Sequence, residues 1–369
     1  MVYVHVPFCK SFCTYSGFYS ELCRDLVQVQ DYVNAVCQEA KRRAGEIVAS
    51  QAVNTLYIGG GTPSVLSLAA LDRIVKAVRS TLPDDKPFEE FTLEVNPEDV
   101  VDRGPFFVSG LLALGVDRVS MGVQSFDDVI LRWMNRRHSA EEAEEAYGML
   151  RRNGVQNISI DLIFGLPLLT DARWEATLDR AVALGPEHIS AYQLSVEPDS
   201  ALERQLRQGV FTEASEEQCR RQYDRLCQKL AAAGYHHYEV SNFANPGFEA
   251  RHNAAYWQRV PYVGLGPGAH SLVALTKDGV PRVRRWNPES LSGGLPGEER
   301  LSEEEVREET LMLGLRTDKG LPADRVRSLT RPEALARLLS EGALVEKDAV
   351  IRIPENHFFV SDEIIRELL

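Results

Sequence analysis

Strand-like apolar runs alternate with amphipathic helical segments along most of this chain of 369 residues. The runs predict six strands and a seventh candidate, at residues 3–6, 55–58, 91–95, 118–123, 157–163, 188–194 and 235–240. Strands that alternate with helices form parallel sheets with the helices packed outside. Six or seven such units predict an α/β protein built as a full or partial (β/α) barrel rather than a small doubly wound sheet.

Three helical segments carry their own sequence signals. Residues 67–82 have apolar side chains at the i, i+3, i+4, i+7 spacing of an amphipathic helix. Ser139 and Glu142 form a capping-box pattern that opens a second helix, and residues 215–233 predict a third, long one. In a barrel such helices cover the outside, and the functional residues follow the carboxyl ends of the strands.

The pattern changes towards the C-terminus. We predict a barrel domain at 1–273, a linker rich in glycine, proline and serine at 274–300, and a small α+β domain at 301–369. The last part predicts a helix at 302–315 that opens with a cap at Ser302 to Glu305. It also predicts helices at 331–341 and from 361, and a β pair at 344–346 and 350–353. Helices followed by a small hairpin are typical of a winged-helix module. This one has no basic recognition stripe, so we expect it to pack on the barrel or cover it.

The charge balance argues against one class of partner. The chain has 41 Lys and Arg against 54 Asp and Glu, a formal net charge of −13. A field of this sign repels phosphate backbones, so we expect no nucleic-acid partner. The N-terminus lacks the pattern of a signal peptide, and no apolar stretch reaches the roughly 20 residues of a membrane-spanning helix. We therefore expect a cytoplasmic protein.

The cysteines concentrate near the N-terminus, directly after the first predicted strand. Cys9 and Cys13 occupy the first two positions of a C-x3-C-x2-C spacing, and Ser16 stands at the third. Three thiolates at this spacing can hold three irons of a 4Fe–4S cluster and leave the fourth open to the amino and carboxylate groups of S-adenosylmethionine. Taken alone, two cysteines four residues apart favour a pair of buried thiols, and the neighbouring Tyr15, Phe18 and Tyr19 and the preceding strand favour the cluster.

A run of three glycines follows the second predicted strand. Consecutive glycines let a ligand approach the backbone closely and expose N–H donors, so Gly60, Gly61 and Thr62 form a candidate ledge for an amino-acid group. A tight turn between strand and helix is the alternative for this segment.

Polar residues also occur at or soon after the ends of the next three strands. Glu94 could pair with an ammonium group, Arg136 with a carboxylate and Asp161 with ribose hydroxyls, and Gln124 lies in the same series. Each of them, considered separately, is more typical of a solvated or helix-capping residue.

A further candidate lies in the segment RHNAAYW. Histidine is a common ligand of heme iron, and the aromatic residues would flank a flat macrocycle, which makes His252 a candidate heme ligand. The alternative is a hydrogen-bonded histidine with a structural role.

Together these motifs resemble the radical S-adenosylmethionine family, in the branch of oxygen-independent coproporphyrinogen III oxidases and heme chaperones. The resemblance covers nearly the whole chain and rests, in order, on HVPFCKSFCTY, YIGGGTPS, LEVNPE, RVSMGVQSF, NRRHS, DLIFGLP, HYEVSNFA, RHNAAYW and YVGLGPGAHS. It implies a partial (β/α)6 barrel with a C-terminal domain. It also implies cluster ligands at Cys9, Cys13 and position 16, with Tyr3 nearby. The residues implied around S-adenosylmethionine are Gly60, Gly61, Thr62, Glu94, Gln124, Arg136 and Asp161.

The resemblance implies a heme chaperone more than an oxidase. The oxidases carry a further cysteine where this chain has Phe18, and the HNxxYW motif of the chaperones is present with His252 as the heme-linked residue. The implied activity is binding of heme and its transfer to respiratory proteins, with the cluster and S-adenosylmethionine as cofactors. Peripheral association with a membrane is a further option. The alternatives are a radical enzyme that decarboxylates porphyrinogen propionates and a barrel that has lost its chemistry.

The chain departs from the family pattern at two adjacent positions. Ser16 replaces the third cysteine, and Gly17 replaces the acidic residue that commonly follows it. A serine hydroxyl has a much higher pKa than a thiol and is a harder, poorer cluster ligand. We therefore expect the chain to bind the cluster weakly or not at all.

Overall fold

The computed structural model describes residues 1–15, 17–83, 86–198, 200–274 and 279–369, and its largest element is a nine-stranded sheet. Within those residues, six neighbouring strands follow one another in chain order and all run parallel. They are β1 Val2–Val6, β2 Thr55–Gly60, β3 Glu90–Val95, β4 Arg118–Gln124, β5 Asn157–Phe164 and β6 His188–Gln193. Each lies within two residues of its predicted bounds, which confirms the (β/α)6 core.

Three shorter strands complete this sheet at its edges. The hairpin of β7 (His236–Glu239) and β8 (Asn242–Ala244) pairs antiparallel with β6, and β9 (Val263–Leu265) pairs parallel with β1. Among the described residues, the two edge strands β7 and β9 are not paired with each other. The barrel is therefore partial, as predicted.

Helices alternate with the strands and continue into the C-terminal part. Their bounds are α1 Leu26–Arg42, α2 Ala44–Ala49, α3 Leu68–Arg79, α4 Pro97–Ala113, α5 Asp128–Trp133, α6 Ala140–Arg152, α7 Asp171–Leu184, α8 Ala201–Arg207, α9 Glu216–Ala232, α10 Arg251–Trp257, α11 Glu303–Gly314, α12 Ala323–Leu329, α13 Pro332–Ser340 and α14 Ser361–Leu368. Short 3-10 helices occupy Pro63–Val65 and Glu355–Val360. Of the helices described, none is both long and apolar enough to span a membrane.

The predicted helix starts are formed by side-chain caps. Ser139 and Glu142 make both hydrogen bonds of a capping box at α6, and Ser302 and Glu305 make the same pair at α11. A capping box satisfies two backbone N–H groups that the first helical turn leaves free. The sequence signal therefore marked the first residue of each of these helices correctly.

Alternation along the strands separates an apolar outer layer from a polar interior. Val4, Ile58 and Val119 are fully buried in the hydrophobic core. Residues of opposite phase, such as Glu94 and Ser120, line a cavity inside the partial barrel. Because successive side chains of a strand point to opposite faces, strands β2 to β6 contribute both to the core and to the walls of the cavity.

The segment 274–300 contains more regular structure than its composition predicts. Its residues 275–278 lie outside the described part of the chain. β11 (Val283–Trp286) pairs with β10 (His270–Val273) on one side and with β12 (Gly297–Arg300) on the other. Ladder hydrogen bonds and cross-strand ion pairs such as Arg285–Glu298 hold this small sheet together. Residues 287–296, which contain most of the segment's glycines, prolines and serines, connect β11 to β12 without helix or strand.

The C-terminal part contains the predicted helices and a small sheet. β13 (Leu321–Pro322) and β14 (Val345–Lys347) flank β15 (Val350–Arg352), and all pairings are antiparallel. This combination of helices and hairpin resembles the expected winged-helix module. The division into barrel, linker and C-terminal domain stays a prediction.

We predict that Trp174 is a major source of stability for the outer helical layer. It is 1% exposed on α7, and its indole N–H donates to the carbonyl of Gln222 on α9 at 2.9 Å. Trp174→Ala should lower the free energy of unfolding by about 3–5 kcal/mol through cavity formation. Phe106→Ala is the control, because Phe106 is 81% exposed. Urea unfolding followed by circular dichroism measures both, and equal effects would contradict the packing account.

Candidate functional site

A cavity of about 1200 Å³ opens at the carboxyl ends of the parallel strands. Its walls combine the N-terminal cysteine loop, residues at the ends of β2 to β6, and the segment that follows β6. Small-molecule pockets typically have volumes of about 300–1000 Å³, so this cavity has room for a ligand larger than an amino acid or nucleoside.

The cysteine loop and the glycine ledge lie next to each other in the lining of this cavity. A Cβ placed on Gly61 would lie 3.0 Å from the sulfur of Cys9, and the Thr62 hydroxyl lies 3.7 Å from the same sulfur. Only a residue without a side chain permits this approach. Burial raises the pKa of the Cys9 thiol, and the hydrogen bond from Thr62 partly offsets that rise.

Two of the three predicted cluster ligands lie on the cavity wall. Cys9 and Cys13 both line it, while Ser16 lies outside the described residues. The backbone of Cys23 lies next to that of Cys9, because the Cys23 N–H donates to the Cys9 carbonyl at 3.0 Å. The Cys23 side chain is exposed and is not among the described residues that line the cavity. The described residues thus supply two thiols, and no group of three or more His, Cys, Asp or Glu side chains among them is placed to hold a metal ion.

Gly60, the other glycine of the ledge, has a backbone conformation that side chains rarely adopt. Gly60 has φ +113°, and a Cβ there would lie 2.6 Å from the His5 ring. Its N–H donates to a carboxylate oxygen of Glu94 at 3.0 Å, and the Tyr57 hydroxyl donates to the other oxygen at 2.7 Å. Burial raises the pKa of Glu94 to about 7 despite these donors, so the carboxylate would gain from a cationic ligand.

Arg136 connects the cysteine loop to the sheet. One terminal nitrogen lies 3.5 Å from the Cys13 sulfur, and the other donates to Asn96 Oδ1 at 2.8 Å and to the Gly122 carbonyl at 2.7 Å. Its Nε is buried without a protein partner. Burial alone would lower the pKa of Arg136, but the neighbouring Tyr15 and Cys13 raise it overall. The guanidinium therefore stays charged beside the thiols.

Asp161 and Gln124 lie on neighbouring strands of the same wall. The hydroxyl of Ser120 donates to Asp161 at 3.2 Å, and burial raises the pKa of this carboxyl group. Gln124 ends β4 with φ +67°, a left-handed conformation that is uncommon outside glycine. Strain of this kind often accompanies functional positions.

Two predicted residues lie outside the cavity lining as the structure describes it. The Tyr3 hydroxyl bonds to His5 Nδ1 at 2.9 Å, and His5 Nε2 bonds to the Tyr19 carbonyl at 2.8 Å. Tyr3 thus supports the cysteine loop through His5 rather than touching the cavity itself.

The second of these residues is His252, which lies beneath the cavity and is only 1% exposed. Its Nδ1 is 2.8 Å from the Thr55 hydroxyl and its Nε2 is 2.9 Å from the Tyr256 hydroxyl, so both ring nitrogens are engaged. Burial lowers the pKa of His252 to about 3. The neighbouring Asn253 lines the cavity floor, and the Tyr57 ring packs 5.1 Å from the His252 ring.

Several residues of the site were not singled out from the sequence. Tyr57, Asn96 and Ser120 each contact a predicted ligand-binding residue through a hydrogen bond. Tyr57 and Ser120 share the strand phase of the cavity wall, and Asn96 directly follows β3. Strand alternation could therefore have identified the first two, while the role of Asn96 depends on a loop conformation.

Comparison with known proteins agrees with this geometry. The Radical SAM superfamily profile matches residues 3–181. The chain is 37% identical over 355 residues to the heme chaperone HemW of Synechocystis sp., which covers 92% of this chain and 84% of that protein. It is 31% identical to the heme chaperone HemW of Bacillus subtilis, over 100% of this chain and 98% of the relative.

The fold has a solved counterpart. The structure of coproporphyrinogen III oxidase (HemN) from Escherichia coli superposes with a TM-score of 0.80 at 22% sequence identity, covering 100% of this chain and 89% of that one. This likeness establishes the fold, and the sequence relatives establish the branch. The chain therefore belongs to the radical SAM superfamily and, within it, to the HemW family.

Proposed function

We propose that this protein is a heme chaperone, which binds heme and delivers it to respiratory proteins. The observation that carries the proposal is the full-length similarity to relatives named heme chaperone HemW, and it is supported by the HNxxYW segment, of which Asn253 lines the cavity. The acceptor protein, peripheral membrane association and a cytoplasmic location stay predictions.

The cavity residues match the groups of S-adenosylmethionine. Glu94 offers a carboxylate to its ammonium, Arg136 offers a guanidinium to its carboxylate, and Asp161 accepts from its ribose hydroxyls. Gly60 and Gly61 let the ligand approach the backbone. Cys9 and Cys13 would hold the iron–sulfur cluster, which when bound supplies an open iron for the amino-acid group and a single electron.

Heme would bind at α10 through His252, which lies next to the cavity-lining Asn253 but outside the lining itself. His252 is neutral at physiological pH because burial lowers its pKa, and iron ligation requires a neutral imidazole. Its Nε2 is engaged with Tyr256, so iron can bind only after that hydrogen bond breaks and α10 moves. We therefore propose that heme binding is coupled to opening of the α10 segment.

We predict that binding of S-adenosylmethionine strengthens as pH rises through the range where Glu94 ionises. With the pKa of Glu94 near 7, the ammonium loses its carboxylate partner in acid, and affinity should rise roughly tenfold between about pH 5.5 and 7. Equilibrium dialysis measures this. Glu94→Gln should bind weakly and flatten the profile, and Glu89→Gln, outside the cavity, should leave it unchanged. A pH-dependent profile in Glu94→Gln would assign the titration to another group.

We predict that heme binding depends on His252 and is limited by Tyr256. His252→Ala should lower heme affinity roughly tenfold or more and alter the Soret band. Tyr256→Phe removes the hydroxyl that competes for Nε2, so heme should bind faster than to the unaltered protein. His270→Ala is the matched control, because His270 is exposed on β10. Stopped-flow absorbance measures the rates, and loss of binding in His270→Ala alone would refute the assignment to His252.

A further inference from the structure

Tyr57 contacts two of the residues on which the proposed function depends. Its hydroxyl donates to Glu94 Oε1 at 2.7 Å, and its ring lies 5.1 Å from the His252 ring, centroid to centroid. Tyr57 and Glu94 line the cavity, whereas His252 is not among the described residues of the lining. The Tyr57 side chain therefore connects the carboxylate proposed to bind S-adenosylmethionine with the histidine proposed to bind heme.

The two strands that carry Tyr57 and Glu94 also hold the start of α10. On β2, Thr55 lies two positions before Tyr57 and therefore on the same face, and its hydroxyl is 2.8 Å from His252 Nδ1. On β3, Glu90 lies four positions before Glu94, and its carboxylate accepts the backbone N–H groups of the first two residues of α10 at 2.7 and 3.0 Å. The same faces of β2 and β3 thus position the cavity wall and α10.

The two ligands need different positions of α10. In this structure α10 is closed, the Tyr57 ring packs on His252, and the Tyr57 hydroxyl holds the Glu94 carboxylate in place for an ammonium group. Heme reaches His252 Nε2 only after the bond to Tyr256 breaks and α10 moves, and that movement removes the ring on which Tyr57 packs. Because each ligand favours a different state, binding of one opposes binding of the other.

We propose that Tyr57 couples the two sites, so that S-adenosylmethionine bound at Glu94 weakens heme binding at His252. The inference rests on the proposed function and adds its regulation, because a chain that carries S-adenosylmethionine then releases heme more readily than one without it. Tyr57 is a positioning residue, since it acts through Glu94 and His252. Coupling between two binding sites is reciprocal, so heme weakens the binding of S-adenosylmethionine by the same factor.

Heme titration of the full-length chain, followed at the Soret band with and without saturating S-adenosylmethionine, tests the coupling. Equilibrium dialysis establishes saturation and measures the reverse effect, the affinity for S-adenosylmethionine with and without heme. In the unaltered chain, each ligand should raise the Kd of the other roughly fivefold. Tyr57→Phe keeps the ring and removes the hydrogen bond to Glu94, so both effects should disappear.

Tyr235→Phe is the matched control. Tyr235 is also a buried tyrosine, its hydroxyl donates to the Pro186 carbonyl at 2.6 Å, and it is not among the described residues that line the cavity. Its variant loses a buried hydrogen bond of the same kind at a place that contacts neither Glu94 nor His252. Both effects should therefore persist in Tyr235→Phe at the size found in the unaltered chain.

Three results would overturn the proposal. They are a heme affinity that S-adenosylmethionine leaves unchanged or increases in the unaltered chain, coupling that persists in Tyr57→Phe, and coupling that is lost in Tyr235→Phe. The first result needs no variant, so it decides the matter even where Tyr57→Phe does not fold. A chain that fails to bind heme or S-adenosylmethionine at all would contradict the proposed function, and the coupling with it.

Discussion

The approach of the Cys9 sulfur to the backbone of Gly61 is the contact on which the cavity depends. It is possible only because a glycine stands at the end of β2, where any Cβ would meet the sulfur and two carbonyl oxygens. The parallel sheet brings the ends of six strands to one edge, and the cysteine loop folds over that edge. The register of the parallel strands therefore positions the cavity walls, and the absence of a side chain at Gly61 lets the cysteine loop pack beside them.

The interior of the barrel is polar, and two buried carboxyl groups, Glu94 and Asp161, line its cavity. Glu94 and Asp161 are anchored by hydroxyl and amide donors, yet desolvation raises the pKa of both. Ionising a buried carboxyl group costs free energy unless a cation or hydrogen-bond donors lie beside it. A ligand with an ammonium group and ribose hydroxyls supplies both. Arg136 contributes the opposite charge next to the cysteine loop.

Local sequence signals predicted the regular structure well where they were strong. The capping boxes at Ser139 and Ser302 and the alternation of strands located helices and strands within a few residues. Within the segment 274–300, β11 and β12 are held by cross-strand partners that local propensity does not predict, and residues 287–296 between them have no helix or strand. The closeness of Glu197 to Gly17, where a Cβ on the glycine would lie 2.8 Å from the glutamate Cγ, could not be predicted, since nothing local to either residue indicates it. The engagement of both His252 nitrogens depends likewise on Thr55 and on the placement of α10.

The account requires that the thiols and the glycine ledge serve one shared ligand space. Electron paramagnetic resonance of the reduced Ser16→Cys protein, recorded with and without S-adenosylmethionine, tests this most directly. Because the Cys9 sulfur touches Gly61, added S-adenosylmethionine should change the spectrum of the cluster. An identical spectrum in the presence of saturating ligand would show that cluster and ledge do not share a site, and would contradict the account.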